Sequence, residues 1–343
     1  MKKVLMTLTL PLAAGLPFAS LHAQEPTLAP PDAPNANWFS LGPQFGLNLK
    51  AHFDGIGRGN SGSPGPDTGG GVNRTYSDGY VKVDSSGNAG SETWNWGYQH
   101  ASQVQGNTIV MHSLSGANGS LRAGDDVQPG FDLAFGHDFG TAPGGKWGIQ
   151  GAFDFTAISI EDDQTLTTHG KLISDAFTFE GVSIPDAPYH GGFNGPGSFL
   201  SDSPTRTTTT ETVVVKGRRT LDAQVYVLRG GPYYEFKLND QLSGRLGGGV
   251  TLTVADLDYS FDETIDFGGG NVVGNSGSGS GAEFGVGGYL EAKLLWALTD
   301  RTRLFAGVEY EYLGTFSRRA ANEEARLDAS NDVNILFGLE RSF

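Results

Sequence analysis

Asn37-Trp38-Phe39-Ser40-Leu41-Gly42-Pro43-Gln44-Phe45-Gly46-Leu47-Asn48-Leu49-Lys50 has a period of two. Phe39, Leu41, Pro43, Phe45, Leu47 and Leu49 are apolar or ring-like, and Ser40, Gly42, Gln44, Gly46, Asn48 and Lys50 lie between them. Only an extended strand gathers such residues onto one face, because a helix turns 100° per residue and would scatter them.

The alternation returns along the chain. Phe131, Leu133 and Phe135 oppose Asp132, Ala134 and Gly136, and Trp147, Ile149, Phe153 and Phe155 oppose Gln150, Asp154 and Thr156. A fourth strand carries Leu221, Ala223, Val225 and Val227, then Tyr234, Phe236 and Leu238. Its parity changes across Arg229-Gly230-Gly231-Pro232, which predicts a β-bulge there. Strands five to eight follow with Leu242 to Val254, Phe284 to Leu298, Leu304 to Tyr312 and Val333 to Phe343.

A soluble sandwich and a membrane barrel both alternate, so three further features separate them. The face opposite the apolar one holds glycine and isolated charges, as a narrow lumen requires. Aromatics bound the apolar faces: Trp38, Phe139, Trp147, Tyr234, Trp296, Tyr312 and Phe343 fit two interfacial girdles. Connections alternate between short turns (Gly140 to Lys146, Asn239-Asp240, Thr299-Asp300) and long loops at about 51–127, 161–220, 257–282 and 315–331. A barrel with short turns on one side of a membrane and loops on the other has this order. The expected fold is therefore an all-β, transmembrane, antiparallel up-and-down β-barrel of eight strands over residues 38–343. Ten or twelve strands are the alternative if loop segments also cross. Asp162 to Thr168 and Thr205 to Val215 are expected to project beyond the membrane as β-structure, and Thr75 to Val83 with Thr93 to Gln99 to form an extra hairpin.

Composition agrees. The chain has 343 residues with 52 Gly, 0 Cys and 18% charged residues, and no run near 20 apolar residues makes a membrane helix. With 23 Lys+Arg against 38 Asp+Glu, the net charge of −15 opposes nucleic-acid binding. Lys2 and Lys3, the apolar stretch Val4 to Leu16 and the Leu21-His22-Ala23 site read as a secretory signal peptide over residues 1–23. Cleavage after Ala23 removes two lysines and no acid, giving −17. Residues 24–37, rich in proline, read as a periplasmic lead-in.

The last strand, Val333-Asn334-Ile335-Leu336-Phe337-Gly338-Leu339-Glu340-Arg341-Ser342-Phe343, resembles that of small eight-stranded bacterial outer-membrane barrels, such as the transmembrane domain of outer-membrane protein A and outer-membrane proteins X and W. That resemblance implies an outer-membrane location, with lipid and lipopolysaccharide around the wall. It also implies that Phe343 acts as the signal read by the barrel-assembly machinery, with periplasmic chaperones as partners during biogenesis. The loops are longer than in compact members of that family.

The inward parity collects Lys50, Asp132, Asp154, Arg245, Glu291, Lys293, Glu309, Glu311 and Glu340. Unpaired charges in a narrow tube are costly, so these are expected to pair across strands as a polar plug. Gly140 to Lys146 has phosphate-loop spacing, but Trp147 stands where Ser or Thr would ligate magnesium. Gly57 to Gly62 matches a dinucleotide fingerprint in letters only. His52, His100, His112, His137, His169 and His190 form no H-E-x-x-H or H-x-H pair, and no G-x-S-x-G occurs. No catalytic residue, cofactor or metal ligand is therefore expected, while the acidic loop with Asp258, Asp262, Glu263 and Asp266 could share divalent cations with lipopolysaccharide phosphates. The functional expectation is a non-enzymatic structural or surface-interaction barrel. A narrow porin-like channel and a lipid A-modifying enzyme are the alternatives.

Overall fold

The computed structural model describes residues 37–58, 62–115, 117–124, 126–179, 181, 183–268 and 272–343. The expected signal peptide and lead-in lie outside them, apart from Asn37. Eight strands form the wall: β1 Asn37–Leu47, β2 Gln128–Ala142, β3 Gly145–Asp162, β4 Thr205–Lys237, β5 Leu242–Asp266, β6 Val272–Ala297, β7 Thr302–Tyr312 and β8 Asp332–Ser342. Each pairs antiparallel with the next, and β8 pairs with β1 through Leu41↔Leu339 and Phe45↔Ile335. The ring is closed: at the level of the short turns each of the eight strands has a ladder partner on both sides. Asn37 and Phe343 exchange backbone hydrogen bonds of 3.4 and 2.9 Å.

The short turns, 143–144, 238–241 and 298–301, lie at the end of the barrel that also holds Asn37 and Phe343. From this end the strands present apolar residues outward. Leu41, Leu133, Ile149, Leu228, Leu252, Leu294 and Leu339 are exposed, and Ser40, Gln44, Asp132, Asp154, Arg229, Arg245 and Glu309 are buried inside. Further along the same strands the polarity reverses. Ile158 and Ile160 of β3, Leu221, Ala223, Val225 and Val227 of β4, and Ala255, Leu257, Tyr259, Phe261 and Ile265 of β5 point inward as one apolar core. Ser159, Glu161, Asp222, Gln224, Asp256, Asp258 and Asp262 face out.

That reversal replaces the bulge expected at Arg229 to Pro232. Arg229↔Ala152, Gly230↔Gly151, Gly231↔Gln150 and Pro232↔Ile149 follow one unbroken register. Val227 is 3% exposed and Leu228 57%, so the apolar side changes because the surroundings change, while the backbone keeps its parity. A register irregularity does occur in β2, between Asp138 and Gly140.

The structure also shortens two expected loops. Residues 205–220 belong to β4, and β5 and β6 continue through most of 257–282, leaving only 267–271 between them. The other two long loops contain strands of their own. Lys50–Ile56, Gly119–Gly124, Gly314–Ala320 and Glu323–Ala329 form a four-stranded sheet whose order repeats that of β7, β8, β1 and β2, the strands leading into it. Gly314, which opens the strand 314–320, has φ 93°, a conformation that favours glycine. Its Phe53, Phe316, Ala325 and Leu327 close on the apolar core from the opposite side. Each fully buried phenylalanine there contributes about 1.5–3 kcal/mol. Leu166–Thr178 pairs with the far end of β4, as expected of projecting β-structure. A separate small sheet, Arg74–Tyr76, Gly79–Val81, Trp96–Tyr98 and Tyr189–His190, packs Tyr76, Val81, Trp96, Tyr98 and Phe177.

Candidate functional site

The barrel interior below the apolar core holds stacked ionic layers. In the layer nearer the short turns, Arg245 of β5 reaches Glu235 and Glu340, each at 2.6 Å. Arg303 of β7 pairs with the same two carboxylates. The Arg245 guanidinium lies 4.0 Å from the centre of the Trp38 ring, a cation–π contact strengthened by burial. Trp38 Nε1 donates to Tyr233 Oη at 2.9 Å, and Tyr233 donates to Asp138.

The middle layer centres on Arg229 of β4. Its guanidinium meets Asp132, Asp154 at 2.7 Å, Glu291 at 2.9 Å and Glu309 at 2.7 Å. Lys293 lies 2.8 Å from Glu291 and 3.6 Å from Asp132. Asn334 Nδ2 donates to Glu311 and Asp332. These side chains come from six different strands, so the network ties the wall across its diameter. Their near-complete burial means that removal of one partner strands a charge in a low-dielectric space.

Of the residues expected inside, Asp132, Asp154, Arg245, Glu291, Lys293, Glu309, Glu311 and Glu340 are brought together there. Lys50 is not among them. The chain bends after β1, at Asn48 with φ 63°, and Lys50 starts the outer four-stranded sheet opposite Asp328 and Gly124. Trp38 is corrected as well: it is 1% exposed and faces inward, over Gly136, where a Cβ would come within 2.2 Å of the indole. Trp147, Trp296 and Tyr312 are exposed on the outside, and Tyr234 is half-buried on the same face, donating to the Pro143 carbonyl. Phe343 is 58% exposed at the end of β8.

Sequence reading missed Arg229, Glu235 and Arg303. Arg229 sits in the stretch misread as a bulge. Its parity is that of Val225 and Val227, which alternation alone assigns to the apolar face, so parity did not mark it as luminal.

His112, His52 and His137 lie in three separate surroundings. His112 Nδ1 lies 2.6 Å from Asp78 Oδ2, both buried. His52 lines a separate cavity of about 260 Å³ with Thr315, Arg326 and Asp328. Partial burial and the nearby Arg122 guanidinium lower the His52 pKa. His137 is a half-buried rim residue, with Nδ1 2.8 Å from Asn37 Oδ1 and its ring edge on Phe139.

Beyond the apolar band, Arg219 bridges Asp162 at 2.8 Å and Glu263 at 2.5 Å. Glu323, at the start of the outer strand 323–329, accepts from Tyr259 at 2.8 Å and Asn275 at 3.3 Å. Burial, together with the adjoining Glu263 carboxylate, pushes the Glu323 pKa up to about 8.

No family model matches the chain, and no curated protein matches it. Among solved structures, the chain is similar to Ail, the attachment invasion locus protein of Yersinia pestis, at 11% identity and TM-score 0.29, covering 89% of this chain and 99% of that one. It is similar to the outer membrane protein OprG from Pseudomonas aeruginosa at 10% identity and TM-score 0.36, covering 90% and 96%. A third likeness, to the outer membrane protease OmpT from Escherichia coli, has 8% identity and TM-score 0.33, covering 91% and 98%. At such values the barrel architecture rests on this chain's own strand pairing.

Proposed function

We propose that the chain is a bacterial outer-membrane barrel that holds its outer β-structure at the cell surface for a structural or surface-interaction role, with a sealed lumen and no enzymatic activity. The observation that carries this reading is the reversal of polarity at one level of the wall. Below it the outside is apolar, as lipid requires; above it the outside is polar and the inside apolar, as water requires. On β3 the outward band runs from Trp147 to Phe155, about 26 Å along the strand and about 20 Å along the axis at the usual tilt. Phe131, Phe155 and Tyr226 cluster at the upper margin, with ring centres 5.6 and 5.2 Å apart. Phe139 and Trp147 meet at 5.2 Å at the lower one.

Lipopolysaccharide and lipid are the partners this surface fits, with the outward Asp258, Asp262 and Asp266 at the height where divalent cations would bridge phosphates; Glu263, expected among them, faces inward onto Arg219 instead. The exposed Phe343 suits recognition by the assembly machinery, and the long apolar strands suit chaperone protection in the periplasm.

Single-tryptophan variants in vesicles of brominated lipid test the placement. Trp147 and Trp296 should be quenched, and Trp38, Trp94 and Trp96 should not. Quenching of Trp94 together with protection of Trp296 would overturn it. Mass analysis of lipid A from cells with and without the protein should show the same acyl pattern; an altered one would overturn the non-enzymatic reading.

A further inference from the structure

The apolar outside of the wall is not evenly covered. On the outward face of β6 and β7, Ala292 lies between Leu246 and Val308 in one ladder row, and Ala306 lies between Leu294 and Phe337 in the next. Small side chains flanked by large ones leave a furrow, and a further dent opens at Gly244, which faces Leu294 from β5. Two grooves result. One, of about 480 Å³, runs among Leu294, Trp296, Leu304, Ala306, Phe337 and Leu339. The other, of about 400 Å³, lies beside Leu246, Ala292 and Val308, and it shares Leu294 and Ala306 with the first, so the two are continuous. Each is of the size of an ordinary ligand site, roughly 300–1,000 Å³. An unfilled groove forfeits dispersion contacts, and only hydrocarbon suits this outward lining.

The short-turn end of the first groove carries positive charge. Arg341 follows Leu339 by two residues on β8, shares the outward parity of Phe337 and Leu339, and faces Thr302 and Phe39 across the ladders. It is exposed, as is Arg301, whose carbonyl accepts from the Ser342 backbone N–H at 2.8 Å. Among the described residues no ion pair reaches either guanidinium, although Asp300 adjoins Arg301 in the turn. Lys146, on the same rim but on β3, is instead committed to Asp138 at 2.7 Å. Trp296, exposed just above the turn 298–301, marks the level where headgroups begin.

We propose that the two grooves hold the tails of one anionic phospholipid from the leaflet on the short-turn side, with its phosphate on Arg341 and Arg301. The inference rests on the membrane placement given above. A second copy of the chain suits the grooves less well, because two upright barrels related by a two-fold axis would bring Arg341 against Arg341 at one height. Lipopolysaccharide is excluded by level: in that placement its phosphates stand at the opposite margin, where β5 turns Asp258 and Asp262 outward.

The test is native mass spectrometry of the full chain, refolded in detergent with equal amounts of phosphatidylglycerol and phosphatidylcholine of identical tails. Wild type should retain phosphatidylglycerol over phosphatidylcholine at least about fivefold, the weight of one basic side chain near an anionic headgroup. The double variant Arg301→Gln, Arg341→Gln should retain the two equally, and Ala306→Leu, which fills the furrow, should retain less of both. Arg122→Gln, which removes the same charge from the exposed outer sheet, should behave as wild type. Equal retention in wild type, a preference that survives in the double variant, or a two-chain species in place of the lipid-bound monomer would overturn the proposal. Quenching of Trp296 by brominated phosphatidylcholine separates the two readings: quenching without a lipid preference removes the site and keeps the placement, and absence of quenching removes both. Should Ala306→Leu fail to fold, the arginine variants decide.

Discussion

Arg229 is the residue on which the lumen depends most. Its five donors face four carboxylates, and none of these can turn to solvent. Replacing it with Met keeps the length and apolar stem but leaves Asp132, Asp154, Glu291 and Glu309 facing one another, so Arg229→Met should cost at least about 3–5 kcal/mol. Urea unfolding of the refolded barrel in detergent should show it, and a midpoint equal to that of wild type would refute the hub. Arg245→Met should be milder, because Arg303 pairs with the same Glu235 and Glu340. At this scale the inward acids were legible from parity alone. The cation joining them was not, since a charged residue beside glycines reads equally well as a turn. Trp38 was misplaced for a related reason: a tryptophan at the start of a membrane strand suits an interface, and only the small residue facing it, Gly136, makes inward burial sterically feasible.

Among the elements, β4 and β5 show why alternation locates a strand better than it orients one. Leu221 to Val227 and Leu257 to Phe261 are apolar on the inward side, whereas Leu228 and Leu252 are apolar on the outward side. A period of two is blind to which medium lies beyond the face, so the exchange of media looked like a slip of the backbone. The ends of β5 and β6 were hidden likewise, because Asp258, Asp262, Ser276, Ser278 and Ser280 resemble loop residues until their inward partners are considered. The outer strand 323–329 carries its own pH response. Glu323 titrates near 4.5 when unfolded and about 8 when folded, so the folded form keeps a proton that the unfolded chain has lost between those values. Stability should therefore fall as pH rises through that window, by at most about 1.4 kcal/mol per pH unit, and level off above it. Glu323→Gln should flatten this slope, measured by denaturant unfolding from pH 5 to 9; an unchanged slope would assign the response elsewhere.

For the whole molecule, the apolar core above and the ionic layers below stand in series across the lumen. An ion path would have to break both. Refolded protein in planar bilayers should show no steady openings, and Arg245→Ala should not create them, because the core that Phe53, Phe316 and Leu327 of the outer sheet form with Tyr259 and Phe261 is untouched by that change. Steady single-channel steps in wild type would instead establish a conducting route. Eight strands, antiparallel order and the sidedness of the turns were all readable from spacing, since a membrane wall demands strands of set length and parity. The sheet built by 50–56, 119–124, 314–320 and 323–329 was not, because its pairing joins segments from the two ends of the described chain and no local pattern announces such partners.

Asn37 and Phe343 hydrogen-bond to each other, and β1 depends on β8 for one of its two neighbours. The wall therefore cannot seal until its last strand has been made, and any earlier species carries two raw ladder edges and a greasy exterior through water. Removal of the final strand should then yield not a smaller barrel but an aggregate, which sedimentation after refolding would reveal.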